Sequence, residues 1–271
     1  MNIVQLIKLE WLKFHKNKLF IAALISYAVL LPGMMSVVLS IDQLPPPLPQ
    51  PKSLFNTPDI WSYLGYTGNW IAYFVMGFLG LYMVSLEFST KTLRQGIING
   101  LSRKELWVGK VGFMVLLAIG ATLYYMLSGF ALGMLGTEPF EGSPVLGESY
   151  IILRYFIMIL GYLTFGFMLG LLIRGIGIAS MLYFMYVFFL EVMIRYLIHL
   201  KIFEHRSMIF YPMNALEDLT PFPVGGSGQM VNNMNLGFEL FMTPAEATIT
   251  SLVYIGLFLF ASFLLLTKKD L

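Results

Sequence analysis

Glu87-Phe-Ser-Thr-Lys-Thr-Leu-Arg-Gln-Gly-Ile-Ile-Asn-Gly-Leu-Ser-Arg-Lys-Glu-Leu-Trp-Val-Gly-Lys110 is the one long polar, basic stretch set between two membrane-length apolar runs in this chain. Within it, Thr92 to Asn99 reads as a short helix carrying Leu93, Ile97 and Ile98 among Lys91, Arg94 and Gln95, with Gly100 placed to stop it. Ser102-Arg-Lys-Glu105 then forms an S-x-x-E capping box, flanked by Leu101 and Leu106 at the staple positions. A new helix is therefore expected to begin at Arg103, with Trp107 and Lys110 at headgroup level.

The surroundings are those of a membrane protein. Of 271 residues, 58% are hydrophobic and only 12% charged, and the mean hydropathy is +0.76. A bilayer core takes roughly 20 apolar residues per helix. Six stretches satisfy this: 19–41, 69–86, 111–135, 150–173, 176–198 and 248–267. The fold expected is an all-α integral membrane protein with six transmembrane helices forming one domain over 1–271. The first span continues into a Pro-rich segment without a small-residue cleavage site, so it is expected to remain as an anchor. There is no cysteine, which excludes disulfides and thiolate metal sites.

Charge sets the expected orientation. With both termini cytoplasmic, twelve of the seventeen basic residues fall inside, while eleven of the fifteen acids fall outside or at outer helix ends. The expected location is the plasma (inner) membrane, with membrane lipid as a partner and no nucleic acid. Residues 2 to 16 place Ile3, Ile7, Trp11 and Phe14 on one stripe, an amphipathic helix for the inner leaflet. Leu44 to Pro51 reads as a stiff polyproline connector. Spans four and five are joined only by Arg174-Gly-Ile-Gly177, which makes them an antiparallel hairpin. Gly161, Gly166 and Gly170 in span four allow close helix approach. The outer segment 199–247 mixes apolar pieces with Pro and Gly, as short re-entrant helices before the last span would.

The 87–110 segment resembles the inner loop of ABC-2 type transporter permeases. That loop has an acid at the end of the second span, a Thr-Leu helix, a Ser-Arg pair and a Gly-Lys entering the third span. Here these are Glu87, Thr92-Leu93, Ser102-Arg103 and Gly109-Lys110, while Lys91 stands where the family commonly has glycine. The resemblance implies a coupling helix that passes closure of ATP-bound subunits to the spans. It would contact a cytoplasmic ABC ATPase through Thr92, Leu93, Arg94, Ile97 and Ile98, with Glu87 and Arg103 bracing its ends. It also implies an exporter-type permease working as a homodimer or heterodimer with a second permease copy. The substrate route would then lie between spans two and five of the two protomers, with Tyr73, Met76, Gly77, Tyr183 and Tyr186 as candidate lining residues.

No G-x-x-x-x-G-K-[ST] occurs, and Gly225-Gly-Ser-Gly228 lacks the lysine. ATP and Mg are therefore expected on the partner subunit, with no cofactor, catalytic residue or metal on this chain. Glu191 and Arg195, spaced i, i+4 in span five, are expected to form an intramembrane ion pair near the outer end. They also give a partial match to the Glu-Glu-x-x-x-Arg motif of intramembrane prenyl-protein proteases. Leu190 replaces the first Glu, and the histidine ligands that activate a metal-bound water are missing. Two other readings remain: a secondary carrier, which would show mid-membrane acids or broken helices, and a scaffold coupling an ATPase to mechanical or regulatory work.

Overall fold

Residues 1–44, 50–136, 149–223 and 241–268 are described in the computed structural model, and no strand occurs among them. The polyproline reading at 45–49, the glycine run at 225–228 and the apolar piece beginning at Leu236 lie largely outside the described residues.

Nine helices frame the described part of the chain. α1 is Ile3–Phe14, opened by a reciprocal capping box between Asn2 and Gln5. α2 is Lys18–Val37, its first turn capped by Asn17 through the Phe20 amide. α3 is Asp59–Ser89, α4 is Thr92–Ile98 and α5 is Arg103–Gly133. α6 is Ser149–Ile173 and α7 is the continuous helix Ile176–Phe203. α8 is Pro212–Glu217 and α9 is Pro244–Lys268. Six of them, α2, α3, α5, α6, α7 and α9, are long and apolar enough to cross a bilayer.

α3 and α6 form the centre, and their mutual contact is the most extensive in the fold. Glycine makes it possible. A Cβ on Gly80 would strike the Leu163 carbonyl, and one on Gly166 would strike the Gly77 carbonyl, so backbone lies directly on backbone. α2, α5, α7 and α9 surround this pair, and α1 packs along the N-terminal part of α5. α2 and α7 leave most of their apolar surface outward.

One expected boundary moves. α3 begins at Asp59, ten residues before the apolar run that predicts it, because Gly65 and Gly68 pack closely on Thr220, Leu31 and Tyr155 and bury a polar stretch inside protein. On α1 the buried residues are Leu6, Glu10 and Phe14, whereas Ile3 and Trp11 of the expected stripe face outward. An acid occupies the middle of the packed face, where it meets two lysines.

α7 is wound with wide π turns at Tyr186–Leu190 and Ile194–His199. Such turns recur at functional positions. Here they bracket Glu191.

Candidate functional site

The inner site begins with the break between α3 and α4. Lys91 takes φ +59°, ψ +14°, a left-handed conformation that side-chain-bearing residues adopt at some cost. Glycine fits that conformation freely, which gives a physical reason for the glycine common at this position in the resembling loops. Thr92 then starts the seven-residue α4. After Gly100, at φ +95°, Ser102 and Glu105 close the expected capping box, with Glu105 Oε2 2.9 Å from the Ser102 amide.

α4 has two faces. Leu93 is buried and Ile97 packs against the core, so these two hold the helix to its own subunit. Arg94, Gln95 and Ile98 point away, and Ile98 is 73% exposed. Of the candidate coupling residues, Arg94 and Ile98 are therefore the ones presented outward. Leu93 serves the fold.

Beneath α4 lies a feature that the sequence reading lacks. Lys13 sits 2.5 Å from Glu10 and 2.9 Å from Glu87, and Lys110 sits 3.1 Å from Glu10 and 2.7 Å from Glu87. Each lysine touches both acids, so four charges alternate around a closed, neutral ring joining α1, α3 and α5. Three of the four are almost wholly buried; only the Lys13 side chain, at 30%, reaches solvent. The Lys110 ammonium is therefore taken up by two carboxylates and does not reach the surface of the chain. Glu87, expected to brace the start of α4, is held in this ring. Arg103 Nη1 donates to the Leu266 and Thr267 carbonyls, and with Trp107 Nε1 donating to Ser262 Oγ it ties the N-terminal end of α5 to the C-terminal end of α9. Glu10 is the only acid before Asp42. That isolation on a basic, apolar helix was the available signal.

In the C-terminal half of α7, Glu191 and Arg195 do not form the expected ion pair. The Glu191 oxygens accept from the Met213 and Asn214 amides at 3.0 and 2.8 Å, and Arg195 Nε donates to the Met208 carbonyl at 3.0 Å. The wide π turn puts the two groups on neighbouring parts of one segment, and each takes backbone partners there. Together with Asn69 donating to the Glu217 carbonyl, Arg154 to the Asp218 carbonyl and Ser251 to the Ala215 carbonyl, they seat α8 against α3, α6, α7 and α9.

Asp218 follows α8 and ties it to the start of α9: its Oδ2 accepts from the Met242 amide at 3.0 Å and from Asn214 Nδ2 at 3.2 Å. Burial pushes its carboxyl up to about 7, against the pull of the Met242 amide and with the help of the Glu217 charge. A carboxyl raised in the folded state holds its proton more tightly folded than unfolded. Stability is then highest below the ordinary value of 3.8, falls as pH rises, and levels above about 7. Asp218→Asn is expected to flatten most of the fall in melting temperature between about pH 5 and pH 8. Glu217, also raised by burial, leaves a small residual slope. An unchanged slope in the variant would remove Asp218 as its source.

Of the five candidate lining residues, Met76, Gly77 and Tyr183 are enclosed in the packing of one subunit. The Tyr183 hydroxyl donates to the Tyr73 carbonyl at 2.8 Å, and its ring occupies the space above Gly77. Tyr186 is half-buried and its ring packs on Phe165. Tyr73 alone reaches a cavity, of about 180 Å³, between α3, α7 and α8.

Among the described residues no cluster of His, Asp and Glu suits a metal ion. The family model described as ABC-2 family transporter protein matches residues 6–190, a stretch that takes in the charge ring, α4 and most of the bundle and stops before Arg195 and α8. No curated protein matches the chain.

Proposed function

The chain belongs to the ABC-2 family of transporter proteins and is a multi-pass membrane permease on that ground, and from this premise we propose that it is driven by a cytoplasmic ATPase docking on α4. The observation that carries the proposal is the two-faced α4. Leu93 and Ile97 anchor it inward, while Ile98 and Arg94 form an exposed apolar tip with a cationic neighbour. A short helix of this kind suits an acidic-rimmed groove on a soluble partner. The ring of Glu10, Lys13, Glu87 and Lys110 reaches α4 through Glu87, which borders one pocket with Leu93 and Arg94, so a push on α4 would move α1, α3 and α5 together.

In this reading the spans form half of a dimeric exporter in the plasma membrane, with both termini cytoplasmic. ATP and Mg belong to the partner. The outward apolar faces of α3 and α7, including Trp70, Phe74 and Phe189, favour a hydrophobic or amphipathic substrate.

The test is co-expression with a candidate ABC ATPase, followed by copurification and measurement of ATP turnover. Arg94→Glu combined with Ile98→Asp is expected to weaken association at least roughly tenfold, as loss of an interface anchor does, while melting stays at the wild-type temperature. Unaltered association and turnover in the folded double variant would overturn docking at α4.

A further inference from the structure

The cavity between α3, α7 and α8 has an aromatic wall of Trp70, Tyr73, Tyr162 and Phe188. Most polar groups around it are already committed. Asn69 accepts from the Tyr162 hydroxyl at 2.6 Å and donates to the Glu217 carbonyl and Thr220 Oγ1, both at 3.0 Å, forming a fixed floor. Glu191 is held by two backbone amides.

Two groups are not. Arg195 lines the cavity and uses Nε on the Met208 carbonyl, and no other hydrogen bond of its guanidinium occurs among the described residues, the group lying 5.3 Å over the Tyr196 ring. Glu217 contributes its carboxylate to the opposite side, and among the described residues no hydrogen bond or ion pair holds that carboxylate. Desolvation by the walls raises the Glu217 carboxyl above its ordinary value despite the pull of Arg195. Glu217 is nonetheless an exposed residue, so its carboxylate is open to an incoming cation.

The size of the site limits what enters. Pockets for whole drug-sized ligands run to roughly 300–1,000 Å³, so 180 Å³ admits a headgroup and not an entire amphiphile. The remainder has a way out sideways: Trp70 is 42% exposed, and it also borders an apolar groove of Leu30, Met34, Ile71 and Phe74 along α2 and α3.

We propose that this cavity binds the zwitterionic headgroup of an amphiphile, with an ammonium on Glu217 against the Trp70 and Tyr73 rings and a phosphate or carboxylate on Arg195. The tail lies in the groove beside Trp70. A zwitterionic membrane lipid and a free amphiphile bearing the same two charges share this chemistry. The inference narrows the amphipathic substrate proposed above, and rests on that reading only in treating the bound molecule as cargo.

The experiment uses the purified full chain without any ATPase. It is delipidated, exposed to mixed vesicles of phosphatidylethanolamine, phosphatidylglycerol and diacylglycerol, and examined by native mass spectrometry for retained lipid. Phosphatidylethanolamine is expected to be retained roughly tenfold over the other two, the scale of one charge-assisted hydrogen bond. Glu217→Gln should erase that preference without lowering the melting temperature, since no hydrogen bond or ion pair among the described residues rests on its carboxylate. Trp70→Leu should weaken it several-fold. Short-chain dihexanoyl phosphatidylethanolamine that displaces the bound lipid assigns the site to free amphiphiles; failure to displace assigns it to bilayer lipid. Equal retention of all three lipids, or a preference surviving Glu217→Gln, overturns the proposal. Neither result bears on ATPase docking, which is read by copurification.

Discussion

Lys110→Met is expected to be among the most damaging single substitutions in the chain, costing about 3–5 kcal/mol of stability. The reason is what it leaves behind. Lys110 holds Glu10 at 3.1 Å and Glu87 at 2.7 Å, and all three side chains are almost fully buried. Without it, two like charges share one desolvated site with Lys13 as their sole counter-ion. Lys13→Met should cost far less, because its 30% exposure lets water screen the loss and puts it closer to the range of about 0–1 kcal/mol for exposed pairs. The double variant Glu87→Gln with Lys110→Met keeps Glu10 paired to Lys13 at 2.5 Å. It should therefore be more stable than Lys110→Met alone, by a coupling on the order of 2 kcal/mol. Thermal unfolding in detergent across these variants measures all three terms. A Lys110→Met protein melting with wild type, or a double variant worse than the sum of its singles, would mean that the ring contributes no cooperative stability.

The ring also shows where reading the sequence reached its limit. The spans were legible because an unbroken run of roughly twenty apolar residues suits a bilayer core and little else, and the Ser102–Glu105 box because its partners lie within one turn. Glu10 and Lys13 were not legible as partners of Glu87 and Lys110. Their meeting depends on how α1 lies against α5, and no local pattern encodes that angle. The Glu191–Arg195 pair failed in the opposite way. Spacing on a regular helix promised a contact, but π turns and a docked α8 gave each group backbone partners instead. Leu93 and Ile98 looked equivalent in the sequence of α4. Only the fold separates the residue that anchors the helix from the one left outward.

Gly166→Ala is expected to open the centre of the bundle, costing about 3 kcal/mol or more. Its Cβ would fall on the carbonyl oxygen of Gly77, with the Leu81 nitrogen 3.1 Å away. Both are backbone atoms of α3 and cannot rotate aside. Gly80→Ala meets the same obstacle from the other helix, at the Leu163 carbonyl. Relief requires α3 and α6 to move apart, which strips contact from the largest interface in the fold. Two glycines on α5 provide internal controls. At Gly112 the obstacle is the tip of the Ile7 side chain, which can shift, so alanine there should cost markedly less. Gly120 has nothing within 4 Å, and alanine there should be neutral or stabilising by up to about 1 kcal/mol through helix propensity. The expected order of melting temperatures is therefore Gly120→Ala highest, then Gly112→Ala, then Gly80→Ala and Gly166→Ala together at the bottom. Gly166→Ala melting beside Gly120→Ala would mean that α3 and α6 do not rest on backbone contact, and the central packing described here would have to be abandoned.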